Sequence, residues 1–196
     1  MSLFRRVFNL DEPAPPADQP VDPHRPLPTL TAESLPGETQ SVHMIAAALS
    51  GLPPARARYV AAFAYLLGRA ANANLEVSDA ERVEMAHLAA EAGLDAETAK
   101  LVMDMSSTLS GEFGATEDFL VTREFKAIST IEERQRLIRA CFLVMAADDE
   151  IDASEAWLVN RVAEELDVER ADLNRIREEF HDKLSGVRLA REAAQS

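Results

Sequence analysis

The densest cluster of side chains that could do chemistry is an acidic stretch late in the chain. It holds five carboxylates in the eight positions 148–155. Hard cations such as Ca²⁺, Mg²⁺ and Mn²⁺ bind several oxygen ligands that converge on one point. A turn between two helices can supply such ligands, and a bound cation would offset the repulsion among the carboxylates. The stretch therefore predicts a candidate site for a divalent cation.

The same acids also have a purely structural interpretation. Asp152 and Glu155 have the spacing of a capping box, and acids at a helix N-terminus are favoured by about 0.3–1 kcal/mol each. The stretch is similar only to the second half of an EF-hand loop, because Val144 and Ala146 stand where the first two acidic ligands would be. Six or seven ligands cannot come from this turn alone. Helix capping, a cation site and contact with a basic partner are therefore three alternatives.

Two Glu-x-x-His pairs suggest a different metal chemistry. They are Glu84 with His87, and Glu178 with His181. Two such pairs, with one further Glu from each of two other helices, form the di-iron site of ferritin-like bundles. The apolar stretch Tyr59–Gly68, which would have to supply another acid, contains none. A metal-dependent helical-bundle enzyme that uses the four residues is therefore the alternative, and the expectation is a protein that is not an enzyme.

Nucleophilic catalysis has little support in the sequence. Cys141 is the single cysteine, so no intrachain disulfide is possible. It shares an apolar helical stripe with Leu137 and Met145, which is typical of an inert core thiol. The sequence contains no Gly-rich phosphate loop, nucleophile elbow or zinc spacing. We expect no catalytic residue and no organic cofactor.

Charge excludes further classes of function. The 196 residues include 34 acids against 20 Lys and Arg, which gives a net charge of −14. Proteins bind DNA by neutralising phosphates with basic residues, so neither nucleic acid nor an anionic membrane is an expected partner. The longest uncharged apolar stretch, Tyr59–Gly68, is half the length of about 20 residues that a bilayer span needs. We expect a cytoplasmic protein with no transmembrane segment and no secretory signal.

The secondary structure that would position the candidate site residues is predicted to be helical almost throughout. Proline is concentrated before residue 40, so we predict a disordered N-terminal segment over residues 1–40 and a helical domain over residues 41–190. Leu3, Phe4, Val7 and Phe8 could share a helical face that docks on a partner or membrane, and a frayed terminus is the alternative. Capping boxes, glycines and apolar spacing predict eight helices. They begin near residues 41, 53, 78, 95, 117, 130, 152 and 171.

An internal repeat relates the two halves of the helical region. Residues 70–76 align with residues 146–152, so each half has a buried helix, a polar turn and an amphipathic helix. The predicted fold class is all-α. We expect a compact bundle of about seven to eight helices built from two pseudo-symmetric halves.

The repeated motif resembles the TerB-like family of tellurite-resistance-associated domains. It is carried by residues 146–155, Ala-Ala-Asp-Asp-Glu-Ile-Asp-Ala-Ser-Glu, and by a degenerate copy at residues 70–81. The resemblance implies a non-enzymatic role in a stress-response or membrane-proximal complex. It also implies divalent-cation ligands, which by position are Asp148, Glu155 and Asp152. Asp149 stands where the family has Gly, and Asn72 replaces the first-half Asp.

The sequence as a whole thus predicts a cytoplasmic TerB-like binding or scaffold module. Its expected partners are proteins, and its candidate ligand is a Ca²⁺, Mg²⁺ or Mn²⁺ ion in the acidic turn. A ligand-free protein–protein interaction domain is the second alternative beside the enzyme.

Overall fold

The computed structural model describes residues 6–8, 22, 24–28, 30, 40–71, 96–108, 115–146 and 151–185. Within these residues the chain is all-α, as predicted, with seven α-helices and one 3-10 helix. The helices are α1 (Gln40–Ser50), α2 (Pro54–Ala71), α3 (Ala96–Thr108), α4 (Ala115–Ile128), α5 (Ile131–Ala146), α6 (Ala153–Glu165) and α7 (Arg170–Glu178), followed by the 3-10 helix His181–Lys183. The predicted helix at residues 78–93 lies outside the described residues, as does most of the first half of the repeat, so the pseudo-symmetry stays a prediction.

Helix α2 is the centre of the bundle and contacts helices α1, α3, α4, α5 and α6. The stretch Tyr59–Gly68 is buried along its whole length, which confirms that it is a core helix. Four buried alanines of α2, Ala57, Ala61, Ala62 and Ala64, let neighbouring helices approach from several sides. None of the described helices is long and apolar enough to cross a membrane.

Aromatic rings join α2 to α4 within this core. The ring of Phe125 stacks on Tyr59 at a centroid distance of 5.5 Å and meets Phe63 edge-on at 6.3 Å. A second pair, Phe142 of α5 and Phe180 after α7, stacks at 5.5 Å. Such pairs add about 0.5–1.5 kcal/mol beyond the area that they bury.

Parts of the N-terminal segment pack against the helices. Val7, Phe8 and Leu30 are buried members of the hydrophobic core, and Leu27 is partly buried against it. These positions of the N-terminal segment therefore contribute apolar surface to the core. Val7 and Phe8 are covered by the chain itself, while Leu3 and Phe4 lie outside the described residues. The domain boundary at residue 40 stays a prediction.

The last helix is shorter than the sequence predicts, since the spacing of Leu173, Ile176, Phe180 and Leu184 predicts one helix from about residue 171 to Gly186 with these four side chains facing inward. Leu173, Ile176 and Phe180 are buried as expected, but α7 ends at Glu178. Beyond it, the backbone N–H of Ile151 donates to the Lys183 carbonyl at 2.7 Å, and the N–H of Ser185 donates to the Ile151 carbonyl at 3.0 Å. This bridge requires the chain to leave the helical path before Leu184.

Candidate functional site

The acidic turn leads into helix α6, and its exit is fixed by Ile151. This side chain is buried in the core, and its backbone is hydrogen-bonded to the segment around Leu184. Residues 147–150 lie outside the described residues. The described part of the candidate site therefore begins at Ile151 and continues through Asp152 and Glu155.

Asp152 and Glu155 form a complete capping box at the start of α6. Oδ1 of Asp152 accepts the backbone N–H groups of Ser154 at 2.7 Å and of Glu155 at 2.9 Å. The Ser154 hydroxyl donates to the same oxygen at 2.6 Å. In return, Oε2 of Glu155 accepts the backbone N–H of Asp152 at 2.8 Å. The capping alternative is therefore confirmed for these two residues.

The cap holds Asp152 in its charged form. The Ser154 hydroxyl, together with the backbone N–H groups of Glu155 and Ser154, lowers the pKa of Asp152 below its ordinary value, and partial desolvation opposes them. Asp152 is exposed, whereas Glu155 is buried. The start of α6 thus carries a fixed negative charge at neutral pH. This charge interacts favourably with the positive end of the helix dipole.

A cation site needs more ligands than the described acids provide. Hard cations need several converging oxygens, and the described residues contain no group of three or more His, Cys, Asp or Glu side chains that could hold a metal. Asp152 and Glu155 each use one carboxylate oxygen for the cap. Asp148, the third predicted ligand, lies outside the described residues. The three-residue ligand set therefore stays a prediction that depends on Asp148.

The second Glu-x-x-His pair does not lie on one helical turn. Helix α7 ends at Glu178, and His181 begins the 3-10 helix, where its Nδ1 lies 3.6 Å from Oδ1 of Asp182. Glu84 and His87 lie outside the described residues. The described part of the chain therefore offers no support for joining the two pairs in a di-metal centre.

Cys141 has the character of a core thiol, as predicted. It is fully buried, and this burial raises the pKa of its thiol to about 12, with a smaller opposing effect of the Arg69 charge. Because the thiolate is the nucleophilic form, Cys141 is unreactive in the folded protein at neutral pH.

A charged network that the sequence analysis did not predict joins helices α2, α4 and α6. The guanidinium of Arg69 lies 3.3 Å from Asp118 and 3.0 Å from Glu165. The hydroxyl of Tyr65 donates to Asp118 at 2.9 Å. The only sequence signal was the presence of arginines at both ends of the apolar stretch in α2.

Helix α6 presents a tryptophan on its outward face. The side chain of Trp157 is 57% exposed, and the guanidinium of Arg161 lies 5.2 Å from its ring centroid. Val159 and Val162, on the opposite face of α6, are fully buried. The capping box at the start of α6 and this aromatic–cationic pair therefore lie close together along the same helix.

Comparison with known proteins agrees with this helical frame. A family model described as tellurite resistance protein TerB matches residues 59–178, which is more than half of the chain. The chain belongs to the TerB family. The matched residues run from helix α2 to the end of α7, so the TerB region includes the capping box and Trp157. Neither a curated protein nor a solved structure matches the chain.

Proposed function

We propose that this TerB-family chain is a non-enzymatic binding module that joins a cytoplasmic stress-response assembly through the outward face of helix α6. The observation that carries the proposal is the exposed side chain of Trp157 with Arg161 over its ring. Trp is usually buried to a large extent, and Trp and Arg are the residues most enriched among the energetic centres of protein interfaces.

The geometry of the pair favours binding. The indole of Trp157 offers a large apolar surface at a small cost in conformational entropy. Arg161 also contacts Glu165 at 3.2 Å, so its guanidinium is held between the ring and a carboxylate. A partner that covers this pair would exclude water from a preformed cation–π contact, which is stronger when it is desolvated.

Charge suggests the chemistry of the partner. The net charge of −14 gives the protein a negative field, and Asp152 and Glu164 are exposed at the two ends of α6. Opposite charge on a partner would speed encounter and fix its orientation. We therefore propose a protein partner whose contacting surface is basic around an apolar centre.

A divalent cation in the acidic turn is the second candidate ligand. The five carboxylates at 148–155 favour it, and so does the exposed, charged carboxylate of Asp152. Asp148, Asp152 and Glu155 would hold the ion. Its chemical contribution would be to neutralise the turn and stabilise the start of α6, next to the surface that carries Trp157.

Affinity capture from a lysate of the source cells tests the proposal. The tagged protein and its Trp157→Ala variant are compared with Phe119→Ala, which removes an aromatic side chain of similar exposure, 59%, from helix α4. We expect a partner retained by the parent and by Phe119→Ala, and reduced about tenfold or more with Trp157→Ala. The captured protein is then purified and titrated against Trp157 fluorescence.

Equal capture by all three proteins would reject the α6 surface. Stoichiometric iron, manganese or zinc that is lost with His87→Ala or His181→Ala would instead favour the enzyme alternative.

A further inference from the structure

An arginine is completely buried at the start of helix α2. The guanidinium of Arg58 pairs with Glu124 of helix α4, with Nη1 at 2.8 Å from Oε1. Removing both charges from water is costly unless their remaining hydrogen-bonding groups are also satisfied. The partners of the other N–H groups therefore show what this buried pair recognises.

Those partners are backbone carbonyls of the N-terminal segment. Nε and Nη2 of Arg58 donate to the Arg25 carbonyl at 3.2 and 3.1 Å, and Nη2 also donates to the Pro26 carbonyl at 3.0 Å. Nη1 donates to the Val7 carbonyl at 3.4 Å. Nε and Nη2 thus contact residues 25 and 26, while Nη1 contacts Val7 and Glu124. Because the acceptors in residues 25 and 26 are backbone carbonyls, these hydrogen bonds do not depend on the side chains of those residues.

Side chains add specificity to this contact. The guanidinium of Arg25 lies 3.7 Å from Oε2 of Glu124, so Glu124 pairs with two arginines, Arg25 and Arg58. Leu27 packs on the core, and Leu30 is buried in it. Together, these contacts favour an arginine with apolar residues two and five positions after it.

Proline prepares the segment for this contact. Arg25 and Leu27 each precede a proline, which restricts both residues to extended backbone conformations. An extended, proline-containing chain loses little entropy when it docks, which is why such chains are common peptide ligands.

We propose that Arg58 and Glu124 form the floor of a binding site for a proline-containing peptide of a partner protein, in which an arginine stands directly before a proline as Arg25 stands before Pro26. The chain's own residues 24–28 and Leu30 occupy this site as an internal competitor. The segment lies outside the residues that match the TerB model, which begin at Tyr59. The proposal goes beyond the α6 surface and does not require it.

Competition follows from the connection between the segment and the helices. Residues 31–39 join Leu30 to α1, so a nine-residue connector keeps the segment near its site. Short connectors give effective concentrations on the order of millimolar. A partner peptide with the same intrinsic affinity for the site therefore binds only when its local concentration exceeds this value, or when the binding of the internal segment is weakened.

The test uses the full chain and a dye-labelled peptide with the sequence of residues 22–30. Peptide binding is measured by fluorescence anisotropy with the parent protein and with Leu30→Asp, which weakens the internal competitor and leaves the floor intact. We expect Leu30→Asp to bind the peptide about tenfold or more tightly than the parent does. Equal affinity of the two proteins would overturn the proposal.

The floor is tested in the Leu30→Asp background. Arg58→Lys keeps a positive charge for Glu124 but loses the planar fork that reaches the carbonyls, so peptide affinity should fall about tenfold. Arg134→Lys is the matched control. Arg134 also donates to three backbone carbonyls, those of Lys126, Ser129 and Leu166, but these are remote from the segment in sequence. Peptide affinity should not change in this control.

Variation of the peptide keeps the test independent of protein folding. A peptide with Arg25→Ala loses the contact with Glu124 and should bind about tenfold more weakly to Leu30→Asp. Unchanged affinity for this peptide would overturn the proposal.

A second copy of the chain is the other molecule that could occupy the site, and sedimentation of the Leu30→Asp variant and the parent tests for it. A dimer that the peptide dissociates would assign the site to a second copy of the chain and reject a separate partner. Loss of capture in Trp157→Ala with intact peptide binding would separate this site from the α6 surface.

Discussion

Asp152 and Glu155 each accept the backbone N–H group of the other residue, at 2.8 Å for the Asp152 N–H and 2.9 Å for the Glu155 N–H. This reciprocal contact is the structural role that the described residues show for Asp152 and Glu155. It ties the end of the turn to the first turn of helix α6, and therefore to the surface around Trp157. The cap thus links the candidate cation site to the candidate partner surface.

Removal of the cap should destabilise the protein by a modest amount. Asp152→Ala leaves N–H groups at the start of α6 without their acceptor and should cost about 1 kcal/mol in the free energy of unfolding. Asp152→Asn keeps an acceptor oxygen and should cost only a few tenths of that. Urea unfolding followed by circular dichroism measures both values. Equal losses in the two variants would show that charge, and not the cap hydrogen bond, carries the effect.

The contribution of Asp152 should depend on pH. Its pKa in the folded protein lies below the ordinary value of 3.8, so the protonated carboxyl is less favoured in the folded state than in the unfolded state. The stabilisation is therefore fully present above pH 3.8 and is lost as the pH falls through the lowered folded pKa. Unfolding free energies of the parent and Asp152→Ala should differ by a constant amount near neutral pH and converge at strongly acidic pH. A difference that grows on acidification would contradict the assignment.

Cation binding predicts a thermal shift. Chelator-treated protein is unfolded with Ca²⁺, Mg²⁺ or Mn²⁺ while Trp157 fluorescence is followed, since Trp157 lies two residues after Glu155. A ligand at about 100 times its Kd adds roughly 2.7 kcal/mol. For a chain of this size, the melting temperature should rise by roughly 5–10 °C with one of the ions.

The ligand set is tested by matched charge removal. Asp148→Asn should abolish the thermal shift, whereas Glu164→Gln removes an exposed acid from the far end of α6 and should preserve it. Asp152→Asn separates the two roles of Asp152, because it keeps the cap and weakens the ion site. Absence of a shift with all three ions would leave the acids with capping and solubility as their roles.

The Arg58–Glu124 pair should be costly to break and less costly to replace. Glu124→Ala leaves the buried guanidinium of Arg58 without its carboxylate, and the free energy of unfolding should fall by about 3–5 kcal/mol. Arg58→Met with Glu124→Leu removes both charges and should be less destabilising than Glu124→Ala alone. Denaturant titration provides the values, and Glu164→Ala is the surface control, expected within about 0.5 kcal/mol of the parent. A double variant less stable than Glu124→Ala would mean that the segment contacts outweigh the ion pair.

The thiol of Cys141 should be protected until the protein unfolds. Its burial and its pKa of about 12 remove both access and the reactive thiolate in the folded state. A colorimetric disulfide reagent should react within the mixing time in denaturant and only at the rate of opening in buffer. Rapid stoichiometric labelling of the native protein would contradict this burial.

Features set by neighbouring residues could be predicted from the sequence. The capping boxes at Thr130–Glu133 and Asp152–Glu155 are both present, because each is closed by residues only three positions apart. The buried stretch in α2 and the core position of Cys141 follow equally from apolar residues at helical spacing. Local hydrogen bonds and periodicity need no knowledge of the rest of the chain, so these predictions depended on the sequence alone.

Only the tertiary structure decided which distant groups meet. Arg58 and Glu124 are 66 positions apart, and the carbonyls that complete their contacts come from a segment predicted to be disordered. The early end of helix α7 likewise depends on the bridge between Ile151 and Leu184. The physical reason is that many different groups could pair with a buried charge or with a backbone N–H or C=O group outside a helix. Packing of the whole chain decides which of them lies close enough to do so. The sequence determined the helices and their caps, and the fold determined what the charged residues between them bind.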